Sequence, residues 1–249
     1  GKAVTFNGLL ANSLTATRAV AIDGPGEIIF NGNFTTTTGF GVNINKTGNG
    51  ILTLGTNGAT SNWNQANNPI DVDRVAIGAT TYTVPSTAGL VINQTFSGTN
   101  VPAGSRILSI DGPTTFTATL APTTAVASGV ALSFGASGGL IISPEVATTD
   151  TATVDLNGTT QTITSFTGNT DGTIIIDNTS ASPAALTFGA NNSTVNFGTG
   201  TGTYTITDSG AGALSIFKAG NTSTTIPTGV TLSYQGVTGV TGGTMSIAS

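Results

Sequence analysis

The chain has 249 residues, of which 7% are charged, with six Lys and Arg against eleven Asp and Glu, and it has neither Cys nor His. That composition excludes disulfides, thiol and imidazole chemistry and the common transition-metal sites, and six scattered cations provide no basic stripe for nucleic acid. No apolar run reaches the roughly 18 residues of a membrane span, and no basic stretch leads into an apolar one as in a signal peptide, so no membrane insertion is expected.

From Ala3 the chain reads as short strands: Ala3 to Phe6, Arg18 to Ile22, Glu27 to Phe30, Gly41 to Ile44 and Ile51 to Leu54. Turn signals such as Asp23-Gly24-Pro25-Gly26 and Asn31-Gly32-Asn33 separate them. The clearest unit is Gly41 to Gly55, an alternating run, a Gly48-Asn49-Gly50 turn and a second alternating run. It returns at Gly210 to Gly220 and more loosely at Ala185 to Gly198. A recurring strand-and-turn unit is the mark of a solenoid.

Asn62 to Val75 differs in texture, with the one Trp, several amides and Asp71, Asp73 and Arg74 together, and reads as an excursion from the array. Thr80 to Gly135 then offers about five strands of its own, enough for a small β-barrel or roll. The array resumes at Gly138. Its strand candidates include Ala152 to Leu156, Thr160 to Phe166, Gly172 to Ile176, Ala213 to Phe217, Val230 to Tyr234 and Thr244 to Ile247. Ile174-Ile175-Ile176 is apolar on both faces, as for a strand covered on both sides. Thr outnumbers even the 35 Gly, and a β-branched hydroxyl residue suits the outer face of such strands.

Val154-Asp155-Leu156-Asn157-Gly158 through Thr162-Ile163, followed by Ser165-Phe166-Thr167-Gly168, resembles the repeat of the autotransporter-associated β-strand family. Lys46-Thr47-Gly48-Asn49-Gly50-Ile51-Leu52-Thr53-Leu54 and Asp208 to Gly220 are similar to the same family's second run. Pro85 to Ile110 is similar to a "STAGL…GTxxPAG" module of giant bacterial surface proteins and some phage structural proteins. The resemblance implies an all-β fold, a right-handed parallel β-helix (β-solenoid) with an inserted small β-barrel or β-roll module, exported to the cell surface or beyond. The divisions expected are N-terminal β-helix rungs over 1–60, the inserted module over 61–137 and C-terminal rungs over 138–249. Family repeats continue past the second run into a further short rung, whereas Leu54-Gly55 here leads to Trp63 and the insertion.

Few residues suggest chemistry. Asp71 and Asp73 would share one face of an extended segment and are the weak candidates for Ca, the one cofactor considered, although they lack the glycine-bearing ligand loop hard cations use. Glu145, Asp150 and Asp155 are expected to face solvent or cap turns. The glycine pairs precede no helix and read as turns rather than phosphate loops. Trp63, Tyr82 and Tyr234 are candidate platforms for cell-surface glycans. No catalytic residue stands out, and the chain is expected not to be an enzyme.

A solenoid leaves unpaired backbone groups at each terminal rung unless a cap covers them. Ala3, Val4 and Phe6 at one end, and Met245 and Ile247 at the other, lie in ordinary alternating strands open to a second copy. Heterologous pairing of this kind builds a filament when its rotation does not close. The expected function is therefore an extracellular structural protein that self-assembles by strand addition into a bacterial surface filament or sheath. The alternatives are an S-layer-like lattice subunit, an adhesin or glycan-binding passenger, and a polysaccharide-degrading β-helix enzyme.

Overall fold

The computed structural model describes all residues except 1–2, 9, 13–17, 33, 37–41, 56–69, 86, 88–89, 91–93, 135–137, 145–148, 169–171, 190–194, 199–201, 221 and 249. Its described residues form strands and turns, with no helix. Alternating apolar and hydroxyl residues make them so, since a period of two gives one buried and one wetted face.

The strands follow one another in coils of three. The first coil holds β1 (Val4–Phe6), β2 (Leu10–Asn12) and β3 (Arg18–Ile22); the second holds β4 (Glu27–Phe30), β5 (Phe34–Thr36) and β6 (Val42–Thr47). The third begins with β7 (Ile51–Leu54) and leaves for β8 (Ile70–Val72), β9 (Thr81–Thr83), β10 (Phe96–Ser97), β11 (Ile107–Ile110), β12 (Thr115–Ala118) and β13 (Val130–Phe134). It closes with β14 (Leu140–Ser143). The fourth is β15 (Thr151–Asp155), β16 (Thr160–Thr162) and β17 (Phe166–Gly168), and the fifth β18 (Thr173–Asp177), β19 (Ala184–Phe188) and β20 (Val195–Asn196). The sixth is β21 (Thr203–Thr207), β22 (Leu214–Lys218) and β23 (Ser223–Ile226), and the last β24 (Val230–Ser233), β25 (Thr238–Val240) and β26 (Thr244–Ile247).

Equivalent strands of successive coils pair in parallel, giving three faces. The first is the seven-stranded sheet β1-β4-β7-β15-β18-β21-β24. The second is split into β2-β5 and β16-β19-β22-β25, and the third runs β3-β6-β14-β17-β20 with β23-β26 beyond it. The split in the second face falls where the third coil sends its chain into β8 to β13. Leu52 pairs with Val154 and Ile44 with Leu140, so the coil closes over the excursion with its registers intact. Outside the coil that carries the excursion, spacing on the first face varies from 22 residues between Thr151 and Thr173 to 30 between Thr173 and Thr203.

β8 to β13 pair only with one another among the described residues, as the antiparallel sheets β10-β13-β8 and β11-β12-β9. They have their own core, in which Tyr82, Phe96, Phe116 and Phe134 meet; Tyr82 stacks on Phe116 with ring centroids 5.2 Å apart. Ile70–Val72 belongs to this module, so the excursion rejoins structure earlier than the expected strands from Thr80.

Several expectations shift in detail. The run Thr160 to Phe166 is broken by a corner between β16 and β17, which lie on different faces. The two runs of the Gly41 to Gly55 stretch are strands as expected, β6 and β7, and they join separate sheets. Ile175 is half-buried between Thr153 and Thr205, while Ile174 and Ile176 are in the core.

The corners are held by buried polar groups. Asp155, Asp177 and Asp208, at one corner of successive coils, are all under a tenth exposed. Asp155 accepts from the Thr179 N–H at 3.1 Å and hydroxyl at 2.6 Å, and Asp177 from the Ser209 N–H at 2.9 Å and hydroxyl at 2.7 Å. Asp208 accepts from the N–H of Gln235 at 2.8 Å. Each carboxylate thus fastens its coil to the next. Asp155 also caps its own turn through the N–H of Asn157, so one of the two expected roles holds, but it is buried and does not face solvent.

The repeated Lys-x-Gly also acquires a cause. Lys46 lies in an inward column between Ile22 and Ile142, and Lys218 between Phe188 and Val240. Both side chains are buried, and each ammonium turns into the corner to donate to the carbonyls of the next two residues, reaching Gly48 O at 3.0 Å and Gly220 O at 3.1 Å. Gly48 and Gly220 have φ of 64° and 70°, a left-handed turn that an L side chain strains to adopt.

Burial pushes the Lys218 ammonium below its ordinary 10.5. Between the lowered folded value and 10.5, the unfolded chain holds more protons than the folded one, so stability rises with pH through that window. Urea midpoints measured as the pH is raised towards 10.5 are expected to rise in the parent relative to Lys218→Met. Parallel curves would show that Lys218 is not desolvated.

Candidate functional site

Two regions carry the residues singled out by sequence. The first is the pair of end coils. On the first face β1 and β24 are the outermost strands, each with a partner on one side only among the described residues. Val4 is 54% and Phe6 47% exposed, although Phe6 stacks on the core residue Phe30 with centroids 5.0 Å apart. Ala3 is exposed just before β1, which begins one residue later than expected. At the other end Ile247 is 58% and Val240 47% exposed, and Met245 is half-buried against the core. These residues continue inward columns: Val4 pairs with Ile28, Leu232 with Ile206, and Met245 with Thr224.

Sequence reasoning missed Asn7 and Gln235 in the same coils, and it placed Tyr234 at the end of a strand as core, rung cap or glycan platform. Asn31 donates through its amide to Asn7 at 2.8 Å, and Tyr234 packs against the core with its hydroxyl 2.5 Å from that of Thr238. The matched turns Asn7-Gly8 and Asn31-Gly32, one coil apart, were the signal that could have found the first.

The second region is a cleft of about 430 Å³ on the module, lined among others by Asp71, Asp73, Thr83, Pro85, Thr114 and Ser128. Backbone bonds from Asp73 N–H to Thr83 O and from Val84 N–H to Thr114 O, both 2.8 Å, hold its walls. Alternation about buried Val72 puts both carboxylates on one side, as expected, and both are exposed. Among the described residues no three His, Cys, Asp or Glu side chains gather as they would around a metal ion. The cleft offers two hydrated carboxylates and several hydroxyls, chemistry suited to polyhydroxyl ligands.

The aromatic candidates part company. Tyr82 is wholly buried, its ring enclosed by Phe96 and Phe116, so it presents no face to a glycan. A tyrosine in an alternating strand of a two-sheet module points inward as readily as outward, and here the core took it. Trp63 lies outside the described residues.

The sequence matches no family model and no curated protein. Among solved structures the chain is similar to the tailspike protein gp49 from Pseudomonas phage LKA1, at 13% identity and a TM-score of 0.26, over 88% of this chain and 41% of that one. The chain thus spans less than half the length of that tailspike.

Proposed function

We propose that the chain is an extracellular structural protein whose coils are a right-handed parallel β-helix, whose antiparallel module is displayed from the second face, and whose end coils join copy to copy into a surface filament or sheath. The handedness follows the rule that parallel crossovers are right-handed in nearly all cases. What supports the assembly reading is the apolar strand character of the outermost described coils, where the exposed Val4, Phe6 and Ile247 continue the columns of Ile28, Phe30 and Ile226. Residues 219–249 contain no charged side chain. Edge charges and prolines inside edge strands are what proteins use to prevent such pairing. The low charge of the chain and its hydroxyl-rich faces suit an exported protein that works as a scaffold, and the reading assigns it no catalysis.

Negative-stain electron microscopy of the purified protein over a wide concentration range, with and without Ca, tests this. Uniform filaments that vanish on deletion of residues 1–6 are expected. Short single rods under every condition would overturn the assembly reading, flat sheets would replace the filament by a lattice, and release of reducing ends from bacterial polysaccharide would overturn the assignment of no catalysis.

The module cleft favours a second reading, an adhesin that takes a neutral or cationic glycan between Asp71 and Thr114. Binding on a glycan array that is lost in Asp73→Ala supports it, and an unchanged signal removes it.

A further inference from the structure

We infer that one end of the inserted module is a lipid-binding tip, in which Ile77 and Leu120 enter the headgroup boundary of an anionic bilayer while Arg74 and Arg106 meet its phosphates. Seating on lipid is a further activity and does not require copies to join.

Backbone bonding decides which parts of the module can act. The bond from Asp73 N–H to Thr83 O joins β8 to β9, and bonds from Phe96 N–H to Ser105 O at 3.1 Å and from Ile107 N–H to Gln94 O at 3.0 Å join β10 to β11. With the two antiparallel sheets they close the ring β8-β9-β12-β11-β10-β13. A closed barrel has no free edge for strand addition, so its ends are left to meet a partner. The chain enters at Ile70 and leaves at Phe134, both at one end of the barrel. The connections β8 to β9, β10 to β11 and β12 to β13 lie at the other.

Over residues 75–80, 98–105 and 119–129 these three connections carry no charged and no aromatic side chain. They hold Ile77, 67% exposed, and Leu120, 42% exposed. Hydrogen bonds gather them into one surface, since Gly78 N–H donates to Pro122 O at 3.0 Å and the Asn100 amide to Ala125 O at 2.9 Å. The N–H groups of Ala79, Val101 and Ser105 are taken within their own turns by the carbonyls of Ala76, Gly98 and Pro102. Pro102 and Pro122 have no N–H to leave unpaired. Paired backbone groups are what a segment needs to leave water for a lipid phase.

Charge returns only at the feet of the connections. Arg74 is exposed and precedes Val75, which bridges Val126. Arg106 is bonded both ways to Thr119, its N–H to the hydroxyl at 3.0 Å and its carbonyl from the N–H at 2.9 Å, which sets its backbone beside that of Leu120. Apolar side chains ahead of guanidinium groups match a bilayer, whose acyl region lies beneath anionic phosphates. Protein interfaces instead centre on Trp, Tyr and Arg anchors, and this tip has no aromatic to offer. Seating reaches only the headgroup boundary, so it needs no membrane span.

Co-flotation of the purified chain with vesicles tests the tip. Binding is expected to vesicles of phosphatidylcholine mixed with phosphatidylglycerol, weaker to phosphatidylcholine alone, and falling as salt is raised. Ile77→Asn and Leu120→Asn should each weaken it by about tenfold, the loss of one inserted aliphatic side chain. Their urea midpoints should stay near the parent's, because both side chains are exposed in the folded chain. Ile51→Asn, at an exposed apolar residue on the first face of the coils, should bind like the parent. Ile77→Trp should float with the vesicles and shift its emission to the blue, a readout that survives if the asparagine variants fail to fold. No flotation of the parent, undiminished flotation of both folded asparagine variants, or an unshifted Ile77→Trp on floating protein would overturn the tip. Lipid-independent dimers that Ile77→Asn abolishes would assign the surface to a second copy and overturn it equally.

Discussion

Gly168→Ala is expected to destabilise the protein by about 3 kcal/mol, at the upper end of what overpacking a core costs. Gly168 ends β17 and faces inward in the column that also holds Ile22, Lys46 and Ile142. A Cβ added there would lie 1.0 Å from the Tyr204 hydroxyl and 2.2 Å from the ring carbon that bears it, so the tyrosine occupies the space a side chain would take. Tyr204 reaches across from the first face and packs edge-on to Phe166 and Phe197. Its hydroxyl is buried with no hydrogen-bond partner among the described residues, and burial raises its pKa.

Tyr204→Phe alone should therefore be neutral or stabilise by about 1 kcal/mol, because an unsatisfied buried hydroxyl is removed. Combined with Gly168→Ala it should recover part of the loss, since the ring carbon still crowds the new methyl. Urea unfolding of the parent, the two single variants and the double variant gives the coupling directly. Additive effects would mean that Tyr204 does not fill the Gly168 position.

The second large effect is expected at Asn178, which is fully buried at the corner between β18 and β19. Its side-chain oxygen accepts from Gly158 N–H at 2.8 Å and Ser180 N–H at 3.4 Å, and its amide nitrogen donates to Gly212 O at 2.6 Å and Ser182 O at 3.0 Å. Three successive coils meet at this one side chain. Asn178→Asp keeps the shape but replaces the donor by an oxygen facing two carbonyls beside the Asp177 carboxylate. A loss of about 3 to 5 kcal/mol at neutral pH is expected, the cost of an uncompensated buried charge.

An aspartate so placed has its folded pKa above its unfolded one, so the folded state binds more protons between the two values, and the deficit should shrink as pH falls through that window. Asn178→Leu leaves the same groups unpaired without a charge, and its deficit should not follow pH. Equal pH profiles for the two variants would show that the carboxylate introduced by Asn178→Asp meets water instead of the carbonyls.

Much of the fold was legible. Period-two alternation at Val42 to Thr47, Leu214 to Lys218 and Thr203 to Thr207 gives strands in which every second residue is buried, Lys46 and Lys218 included, because alternation is a local property that the pleat turns directly into two faces. The Gly-Asn-Gly and Lys-x-Gly signals mark corners because left-handed turns need glycine. The break between β16 and β17 was not legible. Alternation says which side a residue faces, but a corner between two strands changes the face without changing the pattern.

The candidate site was legible in part. Alternation placed Val4, Phe6 and Ile247 in strands, and their exposure follows from lying in the end coils. Asp71 and Asp73 share a side for the same reason. Tyr82 went the other way, since period two does not say which of two faces is the inner one. The partnership of Asn7 with Asn31, and of Asp155 with Thr179, depends on coils 22 to 24 residues apart coming into register, and only the stacked structure sets that register.

The sequence by itself determined that this is a strand-and-turn protein with hydroxyl-rich outer faces, an interruption after Leu54 and no imidazole, thiol or basic stripe, because composition and two-residue periodicity are local quantities. The tertiary structure decided which strands share a face, that the interruption takes the place of the third coil's middle strand, and that buried aspartates, lysines and one asparagine hold the corners. Those outcomes depend on contacts between residues 22 to 102 positions apart, and no local pattern specifies contacts at that range.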